Sequence, residues 1–295
     1  MIMRISIQRR QFLAVFIVAM VAESLVGVAW YLGPTNYDPN AYRNPPHPFN
    51  VGAWSYSFYS ENNDRIMNMT LEFHLNFLLM SMPTNFSDTV MVAKIIDIAT
   101  RLKAHNVRLY WMTDEEGESP GGWNHTDNIN RVKSICEFLV TKNLSISGIH
   151  LDLETGTDST NFNDWLLMLS QIRAVMFQVL GPNRTLCPTL SAAICSCYDN
   201  PDVPNATATI MHKYLDFLVP MTYYCTKPSE FMTLNNPLIS QAPIAIGVGA
   251  DTYHDSYSAM MRVLNTTAAY YEMNSPFTKN FMGFCVFHED LLKMP

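Results

Sequence analysis

From Val51 onward the chain repeats one pattern, a short apolar or alternating run followed by a turn and a longer amphipathic stretch. The short runs lie at Val51–Tyr59, Phe73–Met80, Val107–Met112, Ile146–Leu153, Leu186–Ala193, Phe217–Tyr223, Pro243–Gly249 and Phe281–Phe287, and they predict strands. Helices are predicted over Thr89–His105, Asn128–Lys142, Phe162–Leu180 and Ser256–Met273. In the first of these Val90, Ala93, Ile96, Ala99 and Leu102 recur near the 3.6 period, with Ser87 as N-cap. Strands and helices that alternate through short connections imply parallel strands with helical crossovers. About eight strands in roughly 260 residues is the size of a (β/α)8 TIM barrel. A doubly wound sheet is the alternative, but no Gly-rich phosphate turn follows the first strand. The expected fold class is therefore α/β, one barrel domain over residues 50–295, with no second domain and no internal repeat.

Residues 1–33 read differently. Arg4, Arg9 and Arg10 precede an apolar run from Phe12 to Ala22, and a second apolar stretch follows from Leu25 to Leu32. Basic residues before such a run direct a chain into the secretory pathway. As a signal peptide it would be cut after the small residues of Gly27-Val28-Ala29. As a signal anchor, Phe12 to Leu32 is long enough to span a bilayer, with Glu23 costing roughly 2.5–3.5 kcal/mol near its centre. Both readings put the body outside the cytoplasm, either extracellular or in the secretory lumen, and the second makes it a single-pass type II membrane protein. A Pro/Asn/Tyr-rich linker, residues 34–49, joins this segment to the barrel.

Seven N-x-[ST] tripeptides agree with that compartment and with a glycoprotein: Asn68, Asn85, Asn124, Asn143, Asn183, Asn205 and Asn265. Six cysteines (Cys136, Cys187, Cys195, Cys197, Cys225 and Cys285) suit an oxidising compartment and allow 15 pairings. For Cys187 and Cys285 a disulfide and a buried free thiol on a barrel strand are both open. No zinc-type cysteine pair is present. The 48% hydrophobic fraction excludes disorder over most of the 295 residues, and a net charge of −7 without any basic run argues against nucleic acid as a partner. Membrane contact is expected only through the N-terminal segment, if it stays uncleaved.

The stretch richest in chemistry is Ser145-Ile146-Ser147-Gly148-Ile149-His150-Leu151-Asp152-Leu153-Glu154. A strand's side-chain period of two puts Ile149, Leu151 and Leu153 on one face and His150, Asp152 and Glu154 on the other. In a barrel the apolar face meets the helices and the ionisable face points inward, where two carboxylates and an imidazole are costly unless bonded. Ionisable groups at the carboxyl end of a barrel strand are expected to be functional. Two carboxylates on one face cannot both ionise cheaply, so one is expected to act as an acid near neutral pH.

These residues resemble the fourth-strand motif of glycoside hydrolase family 18, the chitinase and chitinase-like barrels. Gly148, Asp152 and Glu154 match its glycine, last aspartate and catalytic glutamate, whereas Ser147 and His150 stand where the family has aspartates. Met221-Thr222-Tyr223-Tyr224 resembles the sixth-strand Met-x-Tyr-Asp, with Tyr224 in the aspartate's place. Gly283 to Phe287 resembles the eighth-strand Gly-x-x-x-Trp, with Phe287 for the tryptophan. The resemblance implies substrate-assisted, retaining hydrolysis of O-glycosyl bonds in β-linked N-acetylhexosamine glycans, without cofactor or metal. In that scheme Glu154 protonates the leaving oxygen, Asp152 orients the acetamido group that attacks, and Tyr223 bonds the acetamido oxygen. Met221, Tyr224, His150 and Phe287 are the expected substrate-binding residues, with Phe287 stacking on a sugar ring. A protonated His150 would lower the affinity of Asp152 for a proton.

The substitutions at Ser147, His150 and Tyr224 also open a second class, an inactive chitinase-like lectin that holds an oligosaccharide without cutting it. A third reading, a metal-dependent hydrolase using His150, Asp152 and Glu154, is disfavoured because same-face residues rise about 6–7 Å per step. Secondary candidates are Asp114-Glu115-Glu116 and His288-Glu289-Asp290 near strand ends, His74 and Asn76 on the second strand, and Tyr56, Trp111, Trp123 and Tyr253 as sugar platforms or core aromatics.

Overall fold

A computed structural model describes residues 49–113, 125–152, 162–181, 188–195, 211–253, 256–274 and 277–287. Eight strands, β1 (Val51–Ser55), β2 (Phe77–Ser81), β3 (Arg108–Thr113), β4 (Gly148–Leu151), β5 (Thr189–Cys195), β6 (Phe217–Met221), β7 (Ile244–Val248) and β8 (Phe281–Phe287), close in sequence order into a barrel. Every neighbouring pair is parallel, and β1 closes the ring by pairing with β8. Around it lie α1 (Asn63–Glu72), α2 (Thr89–Ala104), α3 (His125–Lys142), α4 (Phe162–Leu180), α5 (Pro228–Ile239) and α6 (Tyr257–Met273). The fold is the expected single (β/α)8 barrel.

Alternation along each strand divides the apolar residues into two cores. Ala53, Leu78, Met80, Leu109, Trp111, Ile149, Leu151, Leu190, Ile246 and Phe284 face the helices and pack with residues such as Ile98, Leu102, Ile135 and Leu264. Trp54, Phe77, Leu79, Tyr110, Met112, Ala193, Phe217, Val219, Met221, Ala245 and Cys285 fill the barrel itself. Burying such side chains contributes roughly 25 cal/mol per Å² of apolar surface removed from water. Large interior rings are matched by glycines across the sheet. A Cβ on Gly148 would stand 2.4 Å from the Tyr110 ring and 2.5 Å from Thr189 Oγ1, and one on Gly52 would stand 2.2 Å from the Phe77 ring.

Gly148 is thus required by packing. We expect Gly148→Ala to destabilise the barrel by about 1–3 kcal/mol, since the Tyr110 ring that would have to yield is itself packed edge-on against Phe77 and Phe217. Chemical denaturation is the measurement, and an unchanged midpoint would show that the interior is looser than this geometry allows.

The helix ends correct two sequence expectations. Asp88, not Ser87, caps α2, its carboxylate accepting from the N–H groups of Val90 (2.8 Å) and Met91 (3.3 Å). The second strand begins at Phe77 rather than Phe73, because Phe73 closes α1 with its N–H on Met69 O and His74 turns the chain at φ 50°. His74 therefore lies in a turn and does not line the barrel, and Asn76 spends its side-chain oxygen on the Val51 N–H at 2.8 Å. The helices α1 and α5 were not expected from periodicity. Ile66, Met67, Met69 and Thr70 anchor α1, and the carboxylate of Glu230 starts α5 by accepting from the N–H groups of Thr226 and Lys227. Those bonds hold the Glu230 carboxyl below its ordinary range.

Candidate active site

The candidate site is assembled at the carboxyl ends of β1, β4, β6 and β8. On β1 the period of two turns Gly52, Trp54 and then Tyr56 inward, and on β4 it does the same for Gly148, His150 and then Asp152. Leu151 is fully buried against the helices while Asp152, one residue past the strand, is half-buried. Its backbone N–H donates to Thr113 O at 2.9 Å, which extends the β3–β4 ladder to the mouth. The phenol of Tyr56 donates to Asp152 Oδ2 in a short hydrogen bond. A hydroxyl facing a carboxylate is a charge-assisted contact that fixes the rotamer of both groups.

An aromatic wall runs beside this pair. The Tyr56 ring lies 5.9 Å from that of Phe287, Phe287 lies 6.1 Å from Tyr223 and edge-on to it, and Tyr223 lies 5.7 Å from Trp54, again edge-on. Tyr56, Tyr223 and Phe287 are all half-buried, so each presents part of its ring at the barrel mouth. Met221 is 7% exposed and packs beneath them in the interior core. Tyr224, the next residue after Tyr223, is 60% exposed and lies off this cluster.

His150 sits one layer deeper and is wholly buried. Trp54 Nε1 donates to His150 Nε2 at 3.3 Å, and His150 Nδ1 pairs with Ser191 Oγ at 2.9 Å. Burial pushes the imidazole's pKa down to about 3, so the ring is neutral at physiological pH. The effect that a protonated His150 would have on Asp152 therefore does not arise at that pH. The Cys285 thiol is pushed up by burial first and by the Asp152 charge second, and it too stays neutral.

The structure thus brings Asp152, Tyr223, Phe287, Met221 and His150 into one inner cluster. Glu154, Trp123, Asp114 to Glu116 and His288 to Asp290 lie outside the described residues. Trp111 is no sugar platform: it faces the helices fully buried, its indole N–H on Met82 O at 3.1 Å. Tyr253 is likewise structural, its hydroxyl donating to Cys225 O at 2.8 Å. Cys225 and Cys285 are buried free thiols, which resolves Cys285 against a disulfide. Among the described residues no group of His, Cys, Asp and Glu is placed to hold a metal ion, and no helix is long and apolar enough to cross a membrane. The leader Phe12–Leu32 lies outside them. Two participants, Trp54 and Ser191, were missed in the sequence. The Gly52-x-Trp54-x-Tyr56 alternation was the available signal, since it shares a period and a face with His150 and Asp152.

A closed barrel with a bonded carboxylate and an aromatic wall at the carboxyl ends of its strands defines a (β/α)8 TIM barrel with its candidate site at the strands' carboxyl ends. No protein-family model and no curated protein matches the sequence. Among solved structures the barrel is similar to a glycoside hydrolase family 18 chitinase from Pseudoalteromonas aurantia, with 12% identity, 83% of this chain and 96% of that one covered, and a TM-score of 0.57. It is also similar to a family 18 chitinase from Cycas revoluta in complex with (GlcNAc)3, with 11% identity over 82% and 96% of the chains and a TM-score of 0.52. A xylanase and α-amylase inhibitor protein in complex with trehalose shares the fold as closely, at 11% identity, 82% and 93% coverage and a TM-score of 0.52. At such identities the likeness establishes the fold, and function has to be argued from the site.

Proposed function

We propose that this barrel is an extracytoplasmic glycosidase that cleaves β-linked N-acetylhexosamine glycans, with the substrate's own acetamido group as nucleophile. The observation that carries the reading is the placement of Asp152, held inward by Tyr56 beside the Tyr223–Phe287 wall. A carboxylate fixed in that position can accept the acetamido N–H and stabilise the positive charge that develops as the carbonyl oxygen attacks the anomeric carbon. Tyr223 offers a phenol to the acetamido oxygen, and Phe287 offers an apolar face to the sugar's C–H groups. Glu154 is the proposed general acid that protonates the leaving glycosidic oxygen.

The direct test is incubation with a chromogenic N-acetylglucosamine oligomer, with release of the chromophore expected. Calorimetry with the unmodified trimer runs in parallel. Binding without turnover would move the protein to the second reading, an oligosaccharide-binding lectin, which the exposed phenol of Tyr224 in place of a carboxylate favours. Neither binding nor turnover would remove both.

The extracytoplasmic part has its own expected result. Asn68, Asn85, Asn143 and Asn265, the sequon asparagines among the described residues, are all exposed. Asn85 and Asn143 lie in connections between elements, with Asn143 at φ 49°. Protein secreted from eukaryotic cells is expected to carry glycans at Asn85 and Asn143, read as asparagine-to-aspartate mass changes after enzymatic deglycosylation. Unmodified peptides at both positions would argue against this compartment.

A further inference from the structure

We propose that His150 is a positioning residue, locked as its Nδ1–H tautomer between Ser191 and Trp54, which sets the indole that backs Tyr223. The tautomer follows from donor chemistry. An indole N–H can only donate, so the nitrogen facing it, Nε2 at 3.3 Å, must be the unprotonated one. The ring proton then sits on Nδ1 and donates to Ser191 Oγ at 2.9 Å. Protonating the ring would place an N–H on Nε2 against the Trp54 N–H, two donors facing each other in a fully buried site. The geometry excludes the cation for that reason, and desolvation acts in the same direction.

The consequence passes through Trp54. Its ring is 1% exposed and meets His150 on one side and Tyr223, at 5.7 Å and 81°, on another. Gly247 closes a third side, since a Cβ there would stand 2.8 Å from the indole. An indole so confined has one orientation only if its N–H has an acceptor, and His150 supplies it. Among the described residues, the charged and titratable groups of the barrel interior and its mouth are Asp152 just past its own strand, Cys285 on β8, and the phenols of Tyr110 on β3, of Tyr56 past β1 and of Tyr223 past β6. None of these is placed as its hydrogen-bond partner in the contacts above, which are to Trp54 and Ser191.

The part of this inference concerning Tyr223 as a ligand group rests on the glycosidase reading, but the tautomer and the hold on Trp54 do not. Two-bond 1H–15N spectra of the purified protein, with His150 assigned by its loss in His150→Gln, test it directly. The expected result is a neutral Nδ1–H imidazole at every pH from about 5 to 8. An Nε2–H tautomer, or a ring that titrates with a midpoint near 6.5, would overturn the proposal. In His150→Leu the Trp54 indole N–H resonance is expected to move upfield, and His150→Gln, whose amide oxygen can accept, is expected to restore much of the shift. An indole resonance unmoved by Leu would equally overturn it. Where the wild-type protein binds the N-acetylglucosamine trimer, Leu is expected to weaken binding roughly tenfold and Gln to recover it. A wild-type protein that binds no trimer would instead count against the glycan reading, leaving the spectra to decide the tautomer.

Discussion

Glu154→Gln is expected to lower hydrolysis of an N-acetylglucosamine oligomer by about 10²–10⁴-fold while leaving the thermal unfolding temperature close to that of the parent. The amide has almost the size of the acid but no transferable proton, so the leaving sugar would have to depart as an alkoxide. Asp152→Asn separates the two carboxylates. In the proposed scheme Asp152 acts on the acetamido group, so its loss also lowers kcat. The Tyr56 hydroxyl would then face an amide instead of a carboxylate and lose a charge-assisted bond. The two variants should differ with an activated leaving group such as a nitrophenol, which needs little protonation. Glu154→Gln recovers much of its rate with that substrate and Asp152→Asn does not. If Glu154→Gln matches the parent on the unactivated oligomer, Glu154 is not the acid. If neither variant changes the rate on either substrate, the chemistry lies elsewhere.

The architecture was legible in the sequence because the barrel obeys two periods and little else. Ile149, Leu151 and the inward His150 and Asp152 fall where a period of two puts them, since the strand has helices on one side and a packed interior on the other. The helix α1 was hidden because it is polar on average and short, and its four buried residues are too few to stand out from the Asn-rich flanks. At His74 the sequence continues an alternating run, but a turn with positive φ intervenes before Phe77. For the site, the motif on β4 was readable and its wiring was not. The bonds of Tyr56 to Asp152 and of Trp54 to His150 join residues 96 positions apart. Each becomes a neighbour only when β1 and β4 are brought to face each other across the closed barrel, which no local pattern reports.

The charge of His150 was not legible in the sequence for the same reason. As a residue on a polar strand face it is an imidazole near a carboxylate, able to take a proton. Inside the barrel, desolvation and a facing indole donor outweigh that neighbour. A glycosidase scheme in this chain therefore has to run with a neutral group where the resembling family carries an ionisable aspartate.

Stability should report that neutrality on acidification. In the unfolded chain the imidazole of His150 titrates near its ordinary 6.5, and in the folded barrel only near 3. Between those values the unfolded state binds more protons than the native state, so stability rises with pH across that window. The contribution is intact above about pH 6.5 and is lost progressively as the pH falls toward 3. At pH about 4.5 the loss from this one residue is of order 2–3 kcal/mol, a large share of an ordinary domain's stability. Denaturant unfolding measured at several values between pH 7 and 4 is expected to show it. His150→Gln cannot charge, so its stability should fall less steeply over the same range, and the two curves should converge or cross on the acid side. Parallel curves would mean that the folded protein accepts the proton, and that water or a carboxylate reaches the ring where the described residues place an indole and a serine hydroxyl.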